Sequence, residues 1–212
     1  MGSTRVFFDD YSAVARMNLS MVLEIIQVVV NDRVAEFVAA REQPRSASLP
    51  CPTWLPASEG WIKINMDVYV QSSGSITAAM VRDHTGKIIS AFANRVNFTD
   101  AQVVEAASLL DGIRLALDQN YNYVVLEGDC SQVYQGLLGD MENIGWDVRS
   151  LLLDSQHFLQ SIGTWEVSVI ARSANFGAHN LAKWCYNNNA LGFINCNLVP
   201  GSVLCMDLHV PF

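Results

Sequence analysis

Three acidic residues stand where a carboxylate is hard to keep in water. Asp67 closes the run Trp61-Ile62-Lys63-Ile64-Asn65-Met66-Asp67, in which Ile62, Ile64 and Met66 alternate with polar residues. That period of two suits a strand with one face in a core. A carboxylate at the inner end of a central strand is costly to desolvate unless a cation meets it, and a metal ion is the natural partner. Glu105 lies in a helical stretch with Ala101, Ser108, Leu109 and Gly112 three, four and seven positions away. It therefore sits on the packing stripe, among small neighbours that leave room for a ligand. Asp129 lies just past Tyr123-Val124-Val125-Leu126-Glu127, at the strand end where α/β sheets place ligand-contacting side chains. Singly, each acid has a plainer reading as a cap, a turn residue or a surface charge, and Asp129 could cap a helix opening near Ser131. Converging, the three would repel strongly unless divalent cations neutralised them.

The elements that would position these acids follow from periodicity. Strands are predicted over 62–70, 76–82 and 87–96, with Asp83-His84-Thr85-Gly86 as the turn of the second hairpin and Gly86 supplying a positive φ. Thr99 and Gln102 fit a capping box that opens a helix running to about 119. A fourth strand (123–127), two short helices (131–138 and 146–162), a fifth strand (165–169) and a last helix from near Asn175 complete the order. Asp111 and Asp118 read as solvated charges on the long helix, Asp83 as a turn residue, and Glu127 as a strand-face acid with no metal role or, alternatively, as a base acting from behind Asp129. Ser72-Ser73-Gly74-Ser75 is not a phosphate loop, since no Gly-Lys-Ser/Thr follows.

The fold class expected is α/β, with a five-stranded mixed sheet (three antiparallel strands, then two parallel) flanked by helices and preceded by an N-terminal helical extension. Residues 19–41 are amphipathic, with Asn18 as a candidate cap, and suit a helix docked on its own domain, on a partner protein or on a second copy. The stretch is broken by charges and its polar face is not basic, so no membrane role is expected. Proline-rich residues 42–58 read as a linker, which gives boundaries of 1–58, 59–195 and an unassigned tail at 196–212.

Among 212 residues the net charge is −8, and acids outnumber basic residues between 61 and 195 as well. Long-range electrostatics therefore count against tight unaided nucleic-acid binding. The five cysteines form no CxxC pair, which excludes a zinc ribbon and points to a reducing, intracellular compartment. The residues do not separate nucleus from cytoplasm.

Lys63-Ile64-Asn65-Met66-Asp67, Val81-Arg82-Asp83 with Gly86, Glu105-Ala106-Ala107, Leu126-Glu127-Gly128-Asp129-Cys130 and Arg172-Ser173-Ala174-Asn175 through Ala178-His179-Asn180-Leu181-Ala182 together resemble the type 1 ribonuclease H domain. The likeness is to the plant, reverse transcriptase-associated branch derived from non-LTR retrotransposons, over about 61–189. The resemblance implies a ribonuclease H-like fold and a two-metal endonuclease that cuts the RNA strand of an RNA-DNA hybrid. It implies that Asp67 bridges two Mg²⁺ ions, with Mn²⁺ as substitute, and that Glu105 and Asp129 complete their shells. Discrimination for RNA would come from the 2′-hydroxyl.

His179 occupies the place of a fourth carboxylate in the best-studied relatives. Imidazole is a poorer ligand for Mg²⁺ than for Mn²⁺, so weakened Mg²⁺-supported activity is expected, with Mn²⁺ partly restoring it. Alternatively His179 shuttles a proton near the leaving group, or is a packed or capping histidine. Tyr69, where the family has a small residue, is expected to narrow the cleft. Asn175 reads as a helix cap and as a substrate-binding residue. The alternative to the enzyme is a domain that keeps the fold with weakened catalysis and serves as a nucleic-acid or protein interaction module.

Overall fold

The computed structural model describes residues 54–204. The helix expected over 19–41, most of the linker and residues 205–212 lie outside the described residues. Strand β1 (Ile62–Tyr69) is buried continuously from Lys63 to Val68, on both faces, although its sequence alternates apolar and polar. The cause is its central position. It pairs antiparallel with β2 (Ser75–Arg82) and parallel with β4 (Tyr123–Gly128), with Asp67 opposite Ala78 and Ile64 opposite both Val81 and Leu126.

β3 (Ile88–Val96) extends the sheet antiparallel from β2, and β5 (Thr164–Val169) extends it parallel from β4. The expected three antiparallel and two parallel strands are present, and β6 (Gly192–Phe193) is a sixth, paired with β3 at Phe92 and Ala93. Two residues carry no readable period, which is why five strands were expected. The order across the sheet is β5-β4-β1-β2-β3-β6. In the β2–β3 turn, Asp83 Oδ1 accepts from Thr85 N at 2.9 Å and Lys87 N at 3.1 Å, and Gly86 has φ +83°. The bond from the Thr85 hydroxyl does most to hold the Asp83 carboxyl below its ordinary pKa.

Helix α1 (Ala101–Asp118) begins one residue later than expected, so Asp100, not Thr99, is its cap, accepting from Gln102 N at 3.0 Å and Val103 N at 3.1 Å. Helices α2 (Ser131–Leu137) and α3 (Trp146–Leu159) join α1 over one face of the sheet, around Ile64, Met66, Leu109, Ile113, Leu126 and Leu152. α1 lies so close to β1 that a Cβ on Gly112 would collide with Met66 Sδ. On the other face, α4 (Phe176–Asn188) buries Leu181, Ala182 and Cys185 against Ile76, Ala78 and Met80.

The stretch after residue 195, unassigned from sequence, forms a 3₁₀ turn (Cys196–Leu198) and a short α5 (Gly201–Leu204), and Val199 and Leu204 are buried in that second cluster. Trp54 is buried at the other end. Core packing thus reaches past both 59 and 195. Among the described residues no helix is long and apolar enough to cross a membrane, and Cys130, Cys185 and Cys196 are free thiols.

Candidate metal centre

Asp67, Glu105 and Asp129 meet, each offering a carboxylate oxygen within 4.8 Å of the others. Asp67 comes from the middle of the sheet and is 1% exposed, while Glu105 from the first turns of α1 and Asp129 from the end of β4 are partly exposed. Gly128 permits the approach. A Cβ there would stand 2.7 Å from Tyr134 Oη and 3.2 Å from Met66 O, so Gly128→Ala is expected to destabilise the fold by about 1–3 kcal/mol. Urea denaturation measures that loss directly.

Asp67 is held on every side. Its Oδ1 accepts from Val68 N at 2.6 Å, its Oδ2 from Asn175 Nδ2 at 3.3 Å, and its own carbonyl from Ser108 Oγ at 3.2 Å. Asn175 also donates to Met66 O at 2.8 Å and has no exposed surface. It stands at the N-cap position of α4 but makes no side-chain cap bond. Expected as a helix cap and as a substrate-binding residue, it lies behind Asp67, where its amide supplies a donor to the buried carboxylate.

Burial and crowding shift the protonation of Glu105 and Asp129. Burial, then the Asp67 and Asp129 charges, push the Glu105 pKa up to about 8, and Arg172 offsets part of this. Asp129 is raised as well, mainly by burial and next by Asp67, with Arg172 pulling it back. His179 Nδ1 is buried without a hydrogen-bond partner, 3.5 Å from Asp67 Oδ1. An all-oxygen cluster short of positive charge, with an orphaned imidazole nitrogen beside it, is a donor set that suits divalent cations. A cavity of about 310 Å³ opens onto Glu105 and Asp129, lined also by Gln102, Cys130, Gln132 and Arg172.

Arg172 was passed over as a site residue. It lies in the 3₁₀ turn Arg172–Ala174, and sequence offered it only as part of a motif. Glu127 and Asp111 stay out of the cluster. Asp111, expected to be solvated, is largely covered, accepting from Thr77 Oγ1 at 2.7 Å and Asn94 Nδ2 at 3.2 Å, and burial raises its pKa. Asp129 does not cap the next helix: the cap position of α2 is Cys130, with no side-chain bond. Tyr69 packs edge-on against Tyr186 of α4, with ring centroids 5.3 Å apart.

A family profile described as reverse transcriptase-like matches residues 65–185. Among solved structures, RNase H1 from the halophilic archaeon Halobacterium salinarum NRC-1 is similar at TM-score 0.57 and 17% identity, over 60% of this chain and 98% of its own. The N-terminal RNase H domain of rv2228c from Mycobacterium tuberculosis, solved as a fusion with maltose-binding protein, gives 0.55 and 16%, over 61% and 96%. LC11-RNase H1 in complex with an RNA/DNA hybrid gives 0.54 and 13%, over 60% and 98%. Comparison with curated proteins returns no match. The profile spans more than half of the sequence and takes in all three acids, and the solved RNase H structures match the mixed sheet and its helices at TM-scores of 0.54 to 0.57; the chain belongs to the reverse transcriptase-like family and has a ribonuclease H-like fold.

Proposed function

We propose that this chain hydrolyses the RNA strand of RNA-DNA hybrids at the Asp67, Glu105 and Asp129 cluster, with two divalent cations, Mg²⁺ or Mn²⁺. The observation that carries this reading is the convergence of three carboxylates from separate elements to within 4.8 Å, two of which, Glu105 and Asp129, line a cavity. Bound there, the cations would supply a water of lowered pKa for in-line attack and neutralise charge on the departing 3′ oxygen.

The chain's own residues do the rest. Asp67, fixed by Val68 N and Asn175, presents a carboxylate that need not reorganise on binding. Glu105 and Asp129 complete the ligand set. Arg172, a cation beside an acidic cavity, is suited to hold a non-bridging phosphate oxygen and so orient the scissile bond. His179 Nδ1, unpartnered beside Asp67, either ligates in place of the fourth acid or hands a proton to the leaving oxygen. The motifs that resemble the plant, retrotransposon-derived branch, Ala178-His179-Asn180 among them, support assignment to it.

Cleavage of a labelled hybrid in Mg²⁺ and then Mn²⁺, with Asp67→Asn as control, tests the proposal: 5′-phosphate and 3′-hydroxyl products are expected, and no cleavage in either metal overturns it. His179→Asp is expected to raise Mg²⁺-supported cleavage about tenfold and to narrow the Mn²⁺ advantage, read from initial rates in each metal. The second reading, an interaction module with weakened catalysis, rests on His179 and on the net charge of −8. Hybrid binding without cleavage in both metals would favour it.

A further inference from the structure

Behind the acid cluster runs a continuous chain of buried polar contacts. Lys63 and Asn65 precede Asp67 on the same side of β1, and both are buried. Glu127, 1% exposed, joins them: its Oε2 accepts from Lys63 Nζ at 2.9 Å and its Oε1 from Asn65 Nδ2 at 2.7 Å. Asn65 Nδ2 also faces Asn175 Oδ1 at 3.5 Å, and Asn175 in turn donates to Asp67 Oδ2. At the far end Lys63 Nζ donates to the Leu55 carbonyl at 2.7 Å. The Trp54 ring lies 4.3 Å from the Arg82 guanidinium and 5.2 Å from Lys63 Nζ.

The orientation of each member follows from its neighbour. A carboxylate only accepts, so Glu127 makes Lys63 and Asn65 aim donors at it, which fixes the Asn65 amide. That choice leaves Asn65 Oδ1 buried with no partner. With Asn65 Nδ2 facing Asn175 Oδ1, the Asn175 NH₂ is left to point at Met66 O and Asp67. A buried ion pair with an orphaned acceptor beside it is a poor way to stabilise a core, since a packed apolar pair often serves as well. The arrangement is accounted for by what it holds in place.

We infer that Lys63, Glu127 and Asn65 are positioning residues for the metal centre: they set the Asn175 amide and through it the Asp67 carboxylate, and Trp54-Leu55 anchors the far end. The inference rests on the cluster being a cation site.

Isothermal titration of the full chain with MnCl₂ tests it. Replacing the pair outright, with Lys63→Met and Glu127→Leu together, leaves no charge unpaired and removes the acceptor that orients Asn65. Mn²⁺ affinity is expected to fall about tenfold, with the metal-free melting temperature little changed. Adding Asn175→Ala to this variant should weaken binding no further than Asn175→Ala does alone, a non-additivity that a general loss of packing would not produce. Should the double variant not fold, Asn65→Ser breaks the same link and is read in the same way. Affinity within twofold of the unaltered chain, or additive losses, would overturn the relay and leave the metal centre standing. If the unaltered chain binds no Mn²⁺, or binds it equally after Asp67→Asn, both the relay and the metal-centre reading fall.

Discussion

Asp67→Asn is expected to lower hybrid cleavage at least about 10³-fold, about 4 kcal/mol of transition-state stabilisation. The loss should come almost entirely in the chemical step. The substitution is nearly isosteric, and the new amide oxygen still accepts from Val68 N, where Asp67 Oδ1 now does at 2.6 Å. What it removes is the charge of the buried member of the triad, the group most firmly held and 3.5 Å from His179 Nδ1. Stability should change little. Taking a negative charge from the cluster relieves repulsion, but the new amide NH₂ faces Asn175 Nδ2, from which Asp67 Oδ2 now accepts at 3.3 Å, so the two effects oppose and the metal-free variant should melt close to the unaltered chain. Cleavage rates and melting curves on the same preparation check both halves, and a variant that is both inactive and unfolded would leave the loss of activity with another cause.

Removing the Glu105 charge should change how stability depends on pH. In the folded chain Glu105 has a pKa of about 8 against an ordinary value of 4.5, raised first by burial and then by Asp67 and Asp129. The native state therefore holds a proton that the unfolded chain releases between those values. The stability this confers is fully present below pH 4.5 and is lost as pH rises through about 8. At pH 8.5 without metal, Glu105→Gln should be more stable than the unaltered chain by about 2 kcal/mol, or roughly 4–8 °C in melting temperature, allowing for partial solvation of the carboxyl. At pH 4 the two should coincide. Divalent cations should reverse the order at pH 8.5, because they stabilise the ionised triad and have fewer ligands in the variant. Melting curves at the two pH values, with and without MnCl₂, give all four results. An unaltered chain whose stability relative to Glu105→Gln does not change with pH would contradict the crowding itself.

The three acids were legible because each sits on an element with a readable period: β1 by alternation, α1 by its stripe of small residues, β4 by a short apolar run. Their meeting was not in any one segment. It depends on β4 lying parallel to β1 and on Gly128 allowing the close approach, which are tertiary facts. The polar face of β1 misled in a different way. Lys63 and Asn65 alternate like solvent-facing residues, yet α4 and the stretch around Trp54 cover them, and their partner Glu127 is 64 residues from Lys63 and 62 from Asn65. Asp111 was misjudged for the same reason, since the donors that let it be half-buried, Thr77 of β2 and Asn94 of β3, lie far from it in sequence. The Thr99 cap was off by one residue because Thr-Asp offers two good caps in a row and the helix chose the second. Residues 196–204 lack periodicity because turns and a single helical turn bury only isolated side chains, Val199 and Leu204.

The most direct measurement is anomalous diffraction at the manganese edge from a crystal of the full chain soaked in MnCl₂. Two peaks are expected within coordination distance of the Asp67, Glu105 and Asp129 carboxylates. Clear density for the three carboxylates with no peak among them, or peaks only at other acids, would contradict the metal centre and the nuclease reading with it.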